Sequence, residues 1–131
     1  MGVIGLARVY DQPGTAGRTF LVERLWPRGL RRDALRIEGW LKEVAPSTEL
    51  RRWFAHDPAK WPEFRRRYAA ELDARPQSWQ PILVAADSAD VTLLYSARDR
   101  DRNSAVALRD YLEERRDELR GNRVPEPGSP A

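Results

Sequence analysis

Arg24-Leu25-Trp26-Pro27-Arg28-Gly29 and the stretch from Leu94-Tyr95-Ser96-Ala97-Arg98 to Asn103 each place arginines directly after a strand-like apolar run. Guanidinium forks match carboxylate and phosphate geometry, so such strand ends suit a pocket for something anionic or flat. In the first island Arg24 and Arg28 flank Trp26, an arrangement that can stack on and neutralise a planar anion. Pro27 fixes the backbone there and Gly29 allows a tight bend. The plainer reading makes Trp26 core, pairs Arg24 with Glu23 or a helix acid, and leaves Arg28 on the surface. In the second island, Ser96 and Ala97 are small enough for a ligand to approach the backbone, Arg98 adds a cation, and Asn103 can cap a following helix. Crevices of α/β sheets lie at carboxyl ends of strands, where a helix N-terminus offers free amides. Alternatively Arg98, Arg100 and Arg102 simply alternate with Asp99 and Asp101 along a solvated loop.

His56 is the sole histidine and the only side chain whose ordinary pKa lies near neutrality. It can serve as a proton-transfer group or merely as a hydrogen-bonded structural residue. Tyr68 and Glu71, three apart on a helical stretch, can present a hydroxyl and a base or arginine anchor to the same pocket. Equally, Tyr68 can be half-buried core while Arg67 and Glu71 form an ordinary i,i+4 pair. Ser96 and His56 do not make a standard serine hydrolase, because no Gly-x-Ser-x-Gly elbow surrounds Ser96. With no cysteine and one histidine there is no disulfide and no conventional zinc site, and no cofactor is expected.

The 131 residues suffice for one domain with a real apolar core. The formal net charge is +3 and the isoelectric point about 9.7, which permits nucleic-acid binding without requiring it. The basic residues are almost all arginine, which GC-rich coding or an arginine-lined site would each explain. No apolar run is long enough to span a membrane, and the N-terminus lacks a basic region before its apolar residues. The expectation is a cytoplasmic protein.

Several elements must position these groups. Ile4–Tyr10 and Thr19–Leu25 read as strands that can pair as a hairpin. Ile37, Trp40, Leu41 and Val44 repeat at helical spacing up to Pro46. Ser47 can cap a helix with Leu50, Trp53 and Phe54 inward. Pro62 suits the start of a longer helix whose inner stripe is Phe64, Tyr68 and Leu72. Gln77–Ala86 reads as a helix despite Pro81, and Val91–Tyr95 as a buried strand. A helix then runs from about Asn103 to Leu119, with Ala105, Leu108, Leu112 and Leu119 inward. The predicted fold is α/β: a small sheet of about three strands packed by four or five helices. It forms a single domain over 1–120, with a disordered tail over 121–131.

These islands, with Arg8-Val9-Tyr10-Asp11, Ala45-Pro46-Ser47-Thr48-Glu49-Leu50-Arg51, Trp53-Phe54-Ala55-His56-Asp57-Pro58 and Phe64 to Leu72, resemble the YeaO-like branch of the domain of unknown function 488 family. The resemblance spans about residues 7–116 and implies a small bacterial-type α/β domain whose biochemical role is open. The family's recurrent polar residues fall on Arg24, Arg28, Ser47, His56, Tyr68, Glu71, Ser96, Arg98 and Asn103. It implies Ser47 as a ligand contact in addition to its capping role. Ser104 stands where members often carry a histidine, and the cysteines of more distant relatives are missing. The leading expectation is a pocket for a small anionic ligand, nucleotide- or phosphate-like, with Arg24, Trp26, Arg28, Ser47, Ser96, Arg98 and Asn103 as binding residues. If there is catalysis, His56 transfers the proton and Tyr68 or Glu71 assists. The alternative is a nucleic-acid-associated module using Arg31, Arg32, Arg36 and Arg65-Arg66-Arg67. Oligomeric state is left open.

Overall fold

A computed structural model describes residues 2–11 and 17–123, the last four of them by their backbone. Four strands, β1 (Ile4–Arg8), β2 (Arg18–Leu21), β3 (Gly39–Trp40) and β4 (Val91–Tyr95), form one parallel sheet in the order β1-β4-β2-β3. The helices are α1 (Thr48–Phe54), α2 (Trp61–Ala74), α3 (Pro76–Ser88) and α4 (Ser104–Arg123). The α/β class therefore stands, with one strand more than the sequence suggests. Of the expected 121–131 tail, α4 continues through Arg123, and 124–131 lie outside the described residues.

The expected β1–β2 hairpin does not form. β4 lies between the two strands and pairs with both in parallel, Leu93 opposite Leu6 on one side and Phe20 on the other. The physical reason is burial: β4 is the most continuously apolar strand, and only the centre of the sheet covers both its faces. Val91, Leu93 and Tyr95 point with Ile4, Phe20 and Val22 into the main core beneath the helices. Leu94 and Leu21, one residue out of phase, face the other way with Val9.

Among the described residues no α-helix lies on that second face. It is covered by the connection from Trp26 to Trp40, whose Leu30, Leu35 and Ile37 lean on Leu21 and Leu94. Here the expected helix over Ile37–Val44 gives way to β3 followed by a single 3-10 turn, Lys42–Val44. Open hydrogen-bonding groups on the edge of β2 decide the matter: Glu38 N–H donates to Thr19 O at 2.6 Å and Leu41 N–H to Leu21 O at 2.8 Å. Ile37 and Trp40 then serve the thin face, while Val44 enters the main core.

The remaining helices form as their sequences predict. Ser47 caps α1 by accepting from Leu50 N–H at 3.1 Å. Pro62 lies in the first turn of α2, and Phe64, Tyr68 and Leu72 are its buried stripe. Pro81 lies inside α3 and is tolerated because the carbonyl it leaves without a helical donor belongs to exposed Gln77. In α4, Ala105, Leu108 and Leu112 are buried, but Leu119 is 49% exposed because the helix has by then outrun the domain it packs on.

Candidate functional site

The carboxyl ends of β2 and β4 lie side by side, and a cleft of about 570 Å³ opens there, within the range of roughly 300–1,000 Å³ typical of small-molecule sites. Its lining comes from the residues following each strand (Val22 to Leu25, Ser96 and Ala97), from α1, and from the first turn of α4. Apolar surface from Val22, Phe54, Phe64 and Ala97 meets charged groups from Glu23, Arg24, Arg51 and Arg52.

Of the residues expected at the site, Arg24, His56, Ser96 and Asn103 share this cleft. Arg24 reaches toward the α1 entry, its Nη2 donating to Ala45 O at 3.2 Å and lying 3.5 Å from Pro46 O. Its buried Nε has no hydrogen-bond partner among the described residues. His56 is held there by unusual backbone: Ala55 ends α1 in the left-handed region at φ 47° and His56 follows at φ 58°. Such conformations cost energy in a non-glycine residue, and two in succession turn the chain sharply enough to set the imidazole on the cleft. Asn103 caps α4: its Oδ1 accepts from Val106 N–H at 2.9 Å while its Nδ2 donates to Asp99 O at 2.8 Å. Asp99 Oδ1 takes the N–H groups of Asp101 and Arg102, which with nearby positive charge holds its carboxyl below the usual range. The loop after β4 is thus a wound, hydrogen-bonded turn.

The other expected residues lie elsewhere. Tyr68 is 1% exposed and its hydroxyl donates to Val44 O. Burial first, then the negative charges of Glu71 and Glu23, push that phenol far above its ordinary value, which disfavours ionisation. Glu71 accepts from Ser47 N–H at 2.8 Å and from Ser47 Oγ–H at 2.6 Å, so both residues are engaged in anchoring the start of α1. Trp26 belongs to the thin face: its Nε1–H donates to Leu30 O at 2.7 Å, its ring meets Trp40 edge-on at 5.4 Å, and the Arg32 guanidinium lies against both indoles. Arg28 and Arg98 are exposed and outside the cleft lining; the Arg28 carbonyl accepts from Tyr10 Oη–H at 2.6 Å.

Several arginines of the nucleic-acid alternative are engaged locally. Arg66 and Arg67 converge on Glu63, whose carboxyl they hold down to about 2. Arg65 pairs with Asp110 at 3.0 Å and Arg31 with Asp33 at 3.2 Å. No described helix is long and apolar enough to cross a membrane. Among the described residues no cluster of His, Asp and Glu is arranged to hold a metal.

Glu23 is the cleft residue that sequence reasoning passed over. It reads as the polar member of an alternating strand, yet it lies where the chain leaves β2, accepting from Ser96 Oγ–H at 2.7 Å. Burial pushes its carboxyl above the ordinary value of 4.5, against the opposing effects of Ser96 and Arg51. The folded state therefore holds the Glu23 proton more tightly than the unfolded chain does, so the ionised form costs stability. That cost is absent below the ordinary carboxylate value and appears as pH rises through the folded one. Glu23→Gln is expected to raise Tm at pH 8, with the gain shrinking as pH falls toward the ordinary carboxylate value and absent below about 4. Calorimetric melting across that range checks it, and a gain independent of pH would refute the assignment. Arg51 and Arg52 were equally invisible, since only the seating of α1 brings them to the strand ends.

The chain also has relatives. The uncharacterized protein YeaO of Escherichia coli K12 is 41% identical over 106 residues, covering 80% of this chain and 92% of that one. The uncharacterized proteins Mb3100c of Mycobacterium bovis and Rv3073c of Mycobacterium tuberculosis are each 47% identical over 70 residues, 53% of this chain and 59% of theirs. No solved structure shows significant similarity. Residues 3–131 match the family described as the inactive DUF488-N3 subclade, and the chain belongs to that branch of the domain of unknown function 488 family.

Proposed function

We propose that the cleft at the β2 and β4 ends binds a small anionic, phosphate-bearing ligand, and that its role is binding rather than catalysis. The observation that carries the reading is charge in a concave site: among the described residues Arg24, Arg51 and Arg52 line it against one acid, Glu23. Arg24 supplies a buried Nε donor without a protein partner among the described residues, which an anion would satisfy. The first turn of the 20-residue α4 adds the positive end of a helix dipole. Against catalysis stand the commitments of the expected helpers. Tyr68 and Glu71 are engaged in holding α1 and the segment before it, and His56 has no hydrogen-bond partner among the described residues. The subclade's description as inactive agrees with a binding role.

Thermal-shift titration with AMP and ribose 5-phosphate tests this directly. Stabilisation is expected in the wild type and in Arg28→Ala, whose side chain is outside the cleft. Arg51→Ala should weaken binding about tenfold or more, the worth of one charge-assisted hydrogen bond. Equal loss in both variants, or no stabilisation by either compound, would refute the reading. The nucleic-acid reading draws no comparable support, since Arg31, Arg65, Arg66 and Arg67 are paired with acids and Arg32 lies on indole rings.

A further inference from the structure

Among the described residues Glu23 is the single acid on a cleft whose other formally charged lining residues are arginines. A carboxylate in such a place repels an incoming anion, so it works against binding unless it contacts another part of the ligand. Its setting is that of a fixed acceptor. The backbone is pinned because Glu23 O accepts from Trp40 Nε1–H at 2.6 Å. One carboxylate oxygen is pinned because Oε1 takes the Ser96 hydroxyl. The Ser96 backbone N–H also faces the carboxylate, so Ser96 holds it with two donors, and Oε2 is not among the sealed, unpartnered atoms of the described residues. A carboxylate has about four acceptor sites, so one oriented by two donors at the cleft keeps capacity for a ligand donor.

We propose that Glu23 is the specificity residue of this cleft, its Oε2 accepting a hydrogen bond from a ligand hydroxyl while the arginines take the ligand's phosphate. This rests on the anion-binding reading and narrows it to one ligand class, a phosphate ester bearing sugar hydroxyls. A cationic donor such as an ammonium fits poorly, because Arg24, Arg51 and Arg52 make its surroundings positive. A neutral hydroxyl meets the carboxylate without that repulsion. The volume of about 570 Å³ leaves room beyond a bare phosphate for a sugar or a nucleoside. Burial, which raises the Glu23 carboxyl, also makes it a stronger acceptor than a solvated one.

Isothermal titration calorimetry on the full chain at pH 8 tests the proposal with two matched pairs: AMP against 2′,3′-dideoxy-AMP, and ribose 5-phosphate against methyl phosphate. The wild type is expected to prefer the hydroxylated member of at least one pair by about tenfold, and the pair that discriminates tells a nucleotide from a sugar phosphate. Glu23→Gln is expected to weaken the hydroxylated member about tenfold and to leave its partner unchanged or tighter. Those opposite directions separate a hydroxyl acceptor from a merely repulsive neighbour. Should Glu23→Gln fail to fold, Ser96→Ala, which releases Oε1, is expected to narrow the same preference. Equal affinities within both pairs in the wild type, or tighter binding of every compound by Glu23→Gln, would overturn the role of Glu23 while leaving an anion cleft. Binding of none of the four overturns the cleft reading itself and this inference with it.

Discussion

Glu71→Ala is expected to destabilise the protein by about 3 kcal/mol, roughly the worth of two hydrogen bonds to a charged, partly buried acceptor. The two Glu71 oxygens receive the backbone N–H and the hydroxyl of Ser47, so truncation leaves the entry of α1 with an unsatisfied donor. The same Ser47 hydroxyl accepts from Leu50 N–H, and its cap loosens once nothing orients it. Equilibrium urea unfolding measures the cost. In a double-mutant cycle, Ser47→Ala in the Glu71→Ala background should cost less than Ser47→Ala alone, because the two act as one unit. Additive losses would show that Glu71 does something other than hold Ser47. Since α1 carries Arg51 and Arg52 to the cleft, ligand affinity should fall along with stability.

The second large effect is expected at Trp40. Its indole Nε1–H holds Glu23 O, its face meets Arg32 at 4.7 Å and Lys42 at 4.2 Å, and its ring contacts Trp26. Trp40→Ala removes one of the two indoles from a face of the sheet that no α-helix covers among the described residues, so little remains nearby to refill the space. The expected loss is about 3 kcal/mol, at the lower end for Trp→Ala because Trp40 is only partly buried. Trp40→Phe should recover part of the packing but none of the hydrogen bond. Denaturant unfolding of both variants measures this, and equal stabilities of Trp40→Phe and wild type would show the bond to Glu23 to be worthless. A loss below about 1 kcal/mol for Trp40→Ala would mean that the thin face is not structural.

These two residues show where local pattern and tertiary structure part company. Trp40 at helical spacing from Ile37 and Val44 looks like part of an amphipathic turn. Spacings of three and four residues also arise when a short strand runs into a 3-10 turn, and the deciding hydrogen bonds to Thr19 and Leu21 join segments about twenty residues apart. The hairpin expectation fails for a similar reason. β1 and β2 are neighbours in sequence, whereas the strand that best fills the space between them comes some seventy residues later. Glu71 and Tyr68 are polar groups on the helix bearing the core stripe, and sequence cannot distinguish a polar atom aimed at a pocket from one tying down a neighbouring backbone.

The sequence by itself determined the class of the fold, the capped and proline-marked helices, the buried strand Val91–Tyr95, and the presence of arginine-bearing strand ends. Each is a local matter of period, cap or composition. Only the tertiary structure decided which strand ends meet. β4 enters between β1 and β2, so Ser96 comes to Glu23, α1 brings Arg51 and Arg52 to the same crevice, and Trp26 turns to the opposite face. The physical reason is that a cleft belongs to the packing of distant elements. Each residue's type announces what it can bond to, but burial and sheet order select which of those bonds it makes.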